Sequence, residues 1–96
     1  MHLEIITPET KIFNGEVDAV QLPGLDGLFQ VLKGHAPIIS GLGNGVVKVD
    51  LAEPFEINEK KDNNIELDSS NSKVIRVKIK GGVMELLNDK IIVLAE

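Results

Sequence analysis

This 96-residue sequence predicts an all-β fold, a flattened β-sandwich of two antiparallel sheets with about 8 to 10 short strands. Three observations predict it. Apolar residues alternate at period two, most cleanly at 46–51 and 74–80, as a half-buried strand requires. Nine glycines and four prolines punctuate the chain so closely that no helical period of useful length survives. The apolar residues are mostly Ile, Leu and Val, which suit a pleated surface. A chain of this size forms one domain, residues 1–96, burying roughly 60 to 65% of its unfolded surface and so holding a modest core without staples.

The elements follow in order. Residues 3–6 are rich in β-formers and stop at Thr7-Pro8, where the residue before proline is pushed out of helical geometry. Lys11-Ile12-Phe13 is a second short piece, closed by the hairpin signal Asn14-Gly15. Residues 17–22 are extended again, with Val17 and Ala19 on one face and Val20 and Leu22 on the other, which suits an inner strand. Pro23-Gly24-Leu25-Asp26-Gly27 is a turn, and 28–32 is a compact apolar strand interrupted only by Gln30. Lys33-Gly34-His35-Ala36-Pro37 bends the chain, Ile38 and Ile39 are briefly extended, and Gly41-Leu42-Gly43-Asn44-Gly45 turns it again. In the next strand Val47, Val49 and Leu51 share one side.

Residues 52–73 change character, with acidic and amide residues crowding out apolar ones. This insertion reads as a hairpin, Phe55 and Ile57 against Ile65 and Leu67 with the turn at 61–64, followed by a mobile connector at Ser69-Ser70-Asn71-Ser72. Beyond it Ile75, Val77 and Ile79 oppose Arg76, Lys78 and Lys80. Gly81-Gly82 is expected to turn that strand so that 83–87 pairs back on it. Asn88-Asp89 closes a further hairpin, and Ile91-Ile92-Val93-Leu94, apolar on both faces, reads as a buried strand.

Composition excludes several functions. A formal net charge of −5 argues against nucleic acid as a partner, since phosphate binding draws on clustered Lys and Arg. Three Phe, with no Trp or Tyr, leave poor platforms for stacking bases or sugars. The absence of cysteine removes disulfides, thiol nucleophiles and thiolate metal sites. No export signal is visible, and no apolar run approaches the roughly 18 residues of a membrane helix, which predicts a soluble chain without direct lipid insertion.

The residues that might carry chemistry are few. His35 lies in a glycine-rich bend without a nucleophile or second polar group in fixed relation to it, so it reads as a turn or interface residue. His2 carries no functional claim. The 41–45 segment lacks the Lys-Ser/Thr pair of a P-loop and precedes a strand, so it is a turn. Asp62, Asn64, Glu66 and Asp68 alternate as in a calcium loop. However, Leu67 stands where the loop needs glycine and Lys73 where it needs a bidentate glutamate, so the run reads as a solvated edge hairpin. No catalytic, cofactor-binding or metal-ligating residue is expected.

The order of motifs is more specific. The opening strand ends at Thr7-Pro8, and Phe13-Asn14-Gly15 follows. Leu22-Pro23-Gly24 then precedes Asp26-Gly27, and Gly34-His35-Ala36-Pro37 is backed by Gly45-Val46-Val47. With Gly81-Gly82 and Val93-Leu94-Ala95, these resemble the N-terminal domain of the epsilon subunit of F-type ATP synthases over all but the acidic middle.

The resemblance implies a non-catalytic rotor part without cofactor, a flattened sandwich on the central stalk. It would couple the gamma subunit to the cytoplasmic loops of the membrane c-ring in a proton- or sodium-translocating enzyme. That implies a peripheral place at the cytoplasmic face of the cell membrane. The turn of Pro23, Gly24, Leu25, Asp26, Gly27, Leu28 and Phe29 would face the ring. Phe13, His35, Ala36, Pro37, Ile38, Ile39, Ser40 and Leu42 would lie toward gamma, with Phe13, Pro37 and Ile39 as exposed apolar contacts. Leu28 and Gln30 depart from the family pattern, which commonly has an acidic and a small residue there, so charge pairing with the ring at that point is not implied. Many family members continue into two helices that restrain hydrolysis and in some bind ATP, whereas this sequence stops at Glu96. It is either a sandwich-only form, in which that restraint comes from elsewhere or is absent, or a piece of a longer chain. The alternative reading is a free-standing sandwich that binds a small ligand or peptide through its loops.

Overall fold

The computed structural model describes residues 1–55 and 64–96, so Ile57 and most of the expected turn at 61–64 lie outside the described residues. Nine strands are present: β1 (His2–Ile6), β2 (Lys11–Gly24), β3 (Gly27–Leu32), β4 (Ile38–Leu42), β5 (Gly45–Leu51), β6 (Ile65–Leu67), β7 (Val74–Ile79), β8 (Gly82–Leu87) and β9 (Lys90–Ala95). They pair in the order β1-β9-β8-β4-β2-β5-β7-β6, with β3 added to β2 and β1 also paired to β2. All pairings are antiparallel except β1 with β9, which run side by side from His2 against Lys90 to Ile6 against Leu94.

The layers are set by β2, the longest strand. Its first half pairs with β1, and its second half lies between β3 and β5, so one strand belongs to both sheets. The first sheet is therefore β2-β1-β9-β8-β4 and the second β3-β2-β5-β7-β6. One core fills the space between them. Leu3, Ile5, Met84, Ile91 and Val93 come from the first sheet, and Val20, Leu22, Val31, Val47, Val49, Ile75 and Val77 from the second, all fully buried. Inward residues recur at period two in β5 (Val47, Val49, Leu51) and β7 (Ile75, Val77, Ile79), as the alternation requires.

Four expectations are corrected. Asn14-Gly15 does not turn: Asn14 pairs with Glu4 and Gly15 with Leu3 inside β2. The hairpin instead turns at Thr7-Pro8-Glu9-Thr10, where Thr7 N–H donates to the Thr10 carbonyl at 2.8 Å and Thr7 Oγ1 accepts from Thr10 N–H at 3.1 Å. A Cβ on Gly15 would stand 3.1 Å from the tip of the Phe13 ring, so a larger residue there requires the ring to shift slightly. Second, Gly81-Gly82 does not make a hairpin of β7 and β8; it carries the chain from the second sheet to the first, where β8 pairs with β4 and β9. Gly82 has φ 145°, and a Cβ on it would lie 2.1 Å from the Leu94 carbonyl oxygen, so only glycine fits the crossing. Third, Pro23, Gly24, Gly41 and Leu42 are strand residues, which narrows the two turns to Leu25-Asp26 and Gly43-Asn44. Fourth, β9 is not buried on both faces: Leu94 is 55% exposed.

The Val17–Leu22 part of β2 buries Val17, Ala19, Val20 and Leu22 alike, because the register with β5 shifts between Val17 and Ala19. Asn88 and Asp89 take φ 52° and 63°, the left-handed pair of a tight two-residue hairpin turn. In the connector after β6, Asp68 Oδ2 accepts from Ser70 N–H and Oγ at 3.0 Å each, and Asn71 Oδ1 accepts from Lys73 N–H at 2.9 Å.

Candidate partner-binding surfaces

The β2–β3 turn closes on the pair Gly24–Gly27, leaving Leu25 and Asp26 at its tip. Leu25 is 73% and Leu28 67% exposed, and Asp26 and Gly27 are also open. The other three residues of the expected ring-facing turn do not reach out. Pro23 is buried with its ring against Gly45 and its carbonyl accepting Gly43 N–H at 2.8 Å, while Gly24 and Phe29 are half-buried and Phe29 packs on the core.

The second expected surface starts at a bend in which His35 N–H donates to the Leu32 carbonyl at 3.1 Å and His35 Nδ1 to the Ala36 carbonyl at 2.7 Å. These bonds hold the ring within its own loop and define His35 as a turn residue. Ala36 and Pro37 are exposed, and Ile39 is 71% exposed on the outer face of β4. Ile38 and Ser40 point inward, half-buried, and Leu42 is 4% exposed inside the core, where no partner can touch it. Phe13 is half-buried at the opposite edge of the same sheet from β4, separated from it by β1, β9 and β8. The structure therefore does not join Phe13 to the 35–42 segment.

It does join one residue from each expected surface. The Leu25 side chain lies over Gly41, where a Cβ would meet Leu25 Cδ1 at 2.8 Å. Gly41 is two residues from Ile39 on the same outward row of β4. Gly41 pairs with Val83, Val83 with Leu94 and Leu94 with Ile6, so an apolar row crosses the outer face of the first sheet. Val83 is 45%, Leu87 50% and Leu94 55% exposed there. Sequence reasoning missed these three because their common row depends on the β4–β8–β9 register. The available signal was that β8 and β9 carry apolar residues at successive positions.

The outer face of the second sheet carries a polar line flanked by exposed Leu28, Leu32 and Val46. Gln30, Gln21, Lys48, Arg76 and Glu66 stand in one register line across all five strands. Arg76 Nη1 also donates to Asp68 Oδ1 at 2.8 Å, and that bond, with those from Ser70, lowers the Asp68 pKa from 3.8 to about 2. On the first sheet, Lys11 lies 3.0 Å from Glu4 and holds its carboxyl below the ordinary value, while a hydrogen bond from His2 does the same for Glu16. Of the expected calcium-like run, Asp62 lies outside the described residues and Asp68 is engaged by Arg76. A hollow of about 730 Å³ opens at the end of the sandwich, lined by Thr7, Asn64, Lys80 and Glu96.

Residues 1–58 match the family model described as the ATP synthase Delta/Epsilon chain, beta-sandwich domain. Over 98% of this chain and 86% of the relative, the sequence is 39% identical to an ATP synthase epsilon chain of Chlorobium limicola. It is 50% identical to one of Chlorobaculum tepidum over 56% of this chain and 61% of the relative. With one of Campylobacter jejuni it shares 47% over 55% of this chain and 41% of the relative. The match thus spans less than two thirds of the latter two. A solved structure titled as the central stalk/c-ring of the Tetrahymena thermophila mitochondrial ATP synthase shares the fold, with a TM-score of 0.63 at 14% identity. It covers 98% of this chain and 63% of that one.

Proposed function

The chain belongs to the ATP synthase delta/epsilon β-sandwich family, and from that premise we propose that it is a non-catalytic rotor subunit coupling gamma to the c-ring. The observation that carries this reading is the apolar outer face of the first sheet. Leu25, Ile39, Val83, Leu87 and Leu94 are all about half exposed or more on one surface of a small domain. Glu85 stands among them, paired with Ile39 between Val83 and Leu87, and exposed apolar area beside such a charge is stabilised when a protein partner covers it.

The mechanism is mechanical. Torque passes from ring to gamma only if the body between them neither shears nor slips. Because β2 is shared by both sheets and β1 closes on β2, sliding one sheet over the other would break backbone hydrogen bonds as well as core packing. Leu25, Asp26 and Leu28 project from the turn that meets the ring loops, and Ile39 with Pro37 from the edge that meets gamma. The assembly sits at the cytoplasmic face of the membrane, and the sandwich itself stays out of the lipid.

The test is complex formation with purified gamma by size exclusion. Ile39→Asp and Pro37→Asp are at exposed positions and leave the fold intact, and each is expected to weaken the complex. Normal binding by both variants would sink the assignment of this face.

A further inference from the structure

One edge of strand β3 faces away from β2. Among the described residues β3 pairs only with β2, and which of its backbone groups remain free follows from Pro23. Proline has no N–H, and the Pro23 carbonyl accepts from Gly43 on the other side of β2, so Pro23–Leu28 is a non-hydrogen-bonded pair. Alternation along the ladder then aims the backbone groups of Leu28, Gln30 and Leu32 away from β2, with the Leu32 carbonyl already taken by His35 N–H.

Edge strands are commonly protected by charge, proline or shortness. At the far edge of this sheet β6 is three residues long and carries Glu66. The strand β3 has six residues, Gly-Leu-Phe-Gln-Val-Leu, with no charge and no proline. Its sequence is also nearly symmetric about Gln30. In a two-fold antiparallel pairing centred there, Gln30 meets Gln30, Leu28 meets Leu32 and Phe29 meets Val31, each apolar residue finding an apolar one on its own face. Gln30 of the two copies exchanges both backbone bonds, and Leu32 N–H of each donates to the Leu28 carbonyl of the other. Just outside the strand stand Asp26 at one end and Lys33 at the other, both exposed and without an ion-pair partner among the described residues. The same pairing sets Lys33 of one copy opposite Gly27 of the other, one position from Asp26, twice by symmetry.

We propose that the chain self-associates through β3 into an antiparallel two-fold dimer that continues the second sheet from one copy into the next. Two short strands bury less than the roughly 1,000 Å² of a stable interface, so the dimer is weak and dissociates on dilution. The inference does not rest on the rotor reading, because gamma and the ring are absent from its test.

Sedimentation of the 96-residue chain from about 10 µM to about 1 mM is expected to show a reversible monomer–dimer equilibrium. Lys33→Asp places like charges near each other at both ends and should weaken the dimer about threefold to tenfold; adding Asp26→Lys should restore it. The chain has no cysteine, so Gln30→Cys supplies a single thiol. Facing Cα atoms about 5.5 Å apart lie within disulfide reach, so it should cross-link on oxidation far faster than Glu66→Cys on the opposite edge. Any of three results overturns the proposal: a monomer throughout this range, equal cross-linking at the two thiols, or a dimer lost with Ile39→Asp but indifferent to charge reversal at 26 and 33.

Discussion

The two outer faces of this sandwich differ in what stands along their central rows, although each carries exposed apolar residues. On the first sheet the outward positions of β4, β8 and β9 hold Ile39, Val83, Leu87 and Leu94, with Leu25 laid over Gly41 beside them. On the second sheet the central line is Gln30, Gln21, Lys48, Arg76 and Glu66, with exposed Leu28, Leu32 and Val46 to either side. Both faces sit on one core and tolerate water in the free chain. The difference teaches that an outward strand position is dictated by what will cover it, whereas an inward one is dictated by the core.

The largest expected effect separates inside from outside within one strand. Ile91 is fully buried and Leu94, three residues on, is 55% exposed. Ile91→Ala should cost about 3 kcal/mol in denaturant unfolding, and Leu94→Ala about 0.5 kcal/mol or less. Comparable losses for the two would mean that Leu94 is core. Gly82→Ala should cost a similar amount, about 3 kcal/mol, through the positive φ and the contact with the Leu94 carbonyl, which would loosen the link between the sheets.

Next comes the contrast between the faces. Leu94→Asp should weaken gamma binding by about tenfold or more, while Lys48→Glu on the polar ladder should change it by about twofold or less. Titration by calorimetry or surface plasmon resonance reads both, and an equal loss would erase the distinction between the faces.

The smallest effect concerns acid. The Asp68 pKa is held at about 2 against 3.8 by Arg76 and Ser70, so its folded-state pKa lies below the unfolded one. The sign is that of a depressed carboxylate: its contribution is present above about pH 4 and is lost as pH falls toward about 2. Asp68→Asn should therefore be less stable than the parent chain at neutral pH and converge with it as pH falls toward about 2, and an unchanged acid limb would show that the pair contributes nothing measurable.

Much of the fold was legible because strand pattern is local. Val47-Val49-Leu51 and Ile75-Val77-Ile79 declare their faces at period two, and Asn88-Asp89 declares its turn. The same local rules misled at Asn14-Gly15, where tertiary pairing with β1 overrides a strong turn signal, and at Gly81-Gly82, where the glycines serve a crossing between sheets. The expected surfaces were partly legible. Exposed Leu25, Leu28, Pro37 and Ile39 were readable from the turns and bends, but Leu42 and Pro23 turned inward, and Phe13 fell at the far edge.

By itself the sequence determined that the chain is all-β, where most strands begin and end, and to which family its motifs belong, because alternation, turn chemistry and motif order are properties of neighbouring residues. Only the tertiary structure decided which strands lie side by side, and hence that Leu25, Ile39, Val83 and Leu94 share a face while five polar residues align on the other. Register between strands distant in sequence is selected by the packing of a common core, and a linear pattern carries that information only once the core has chosen it.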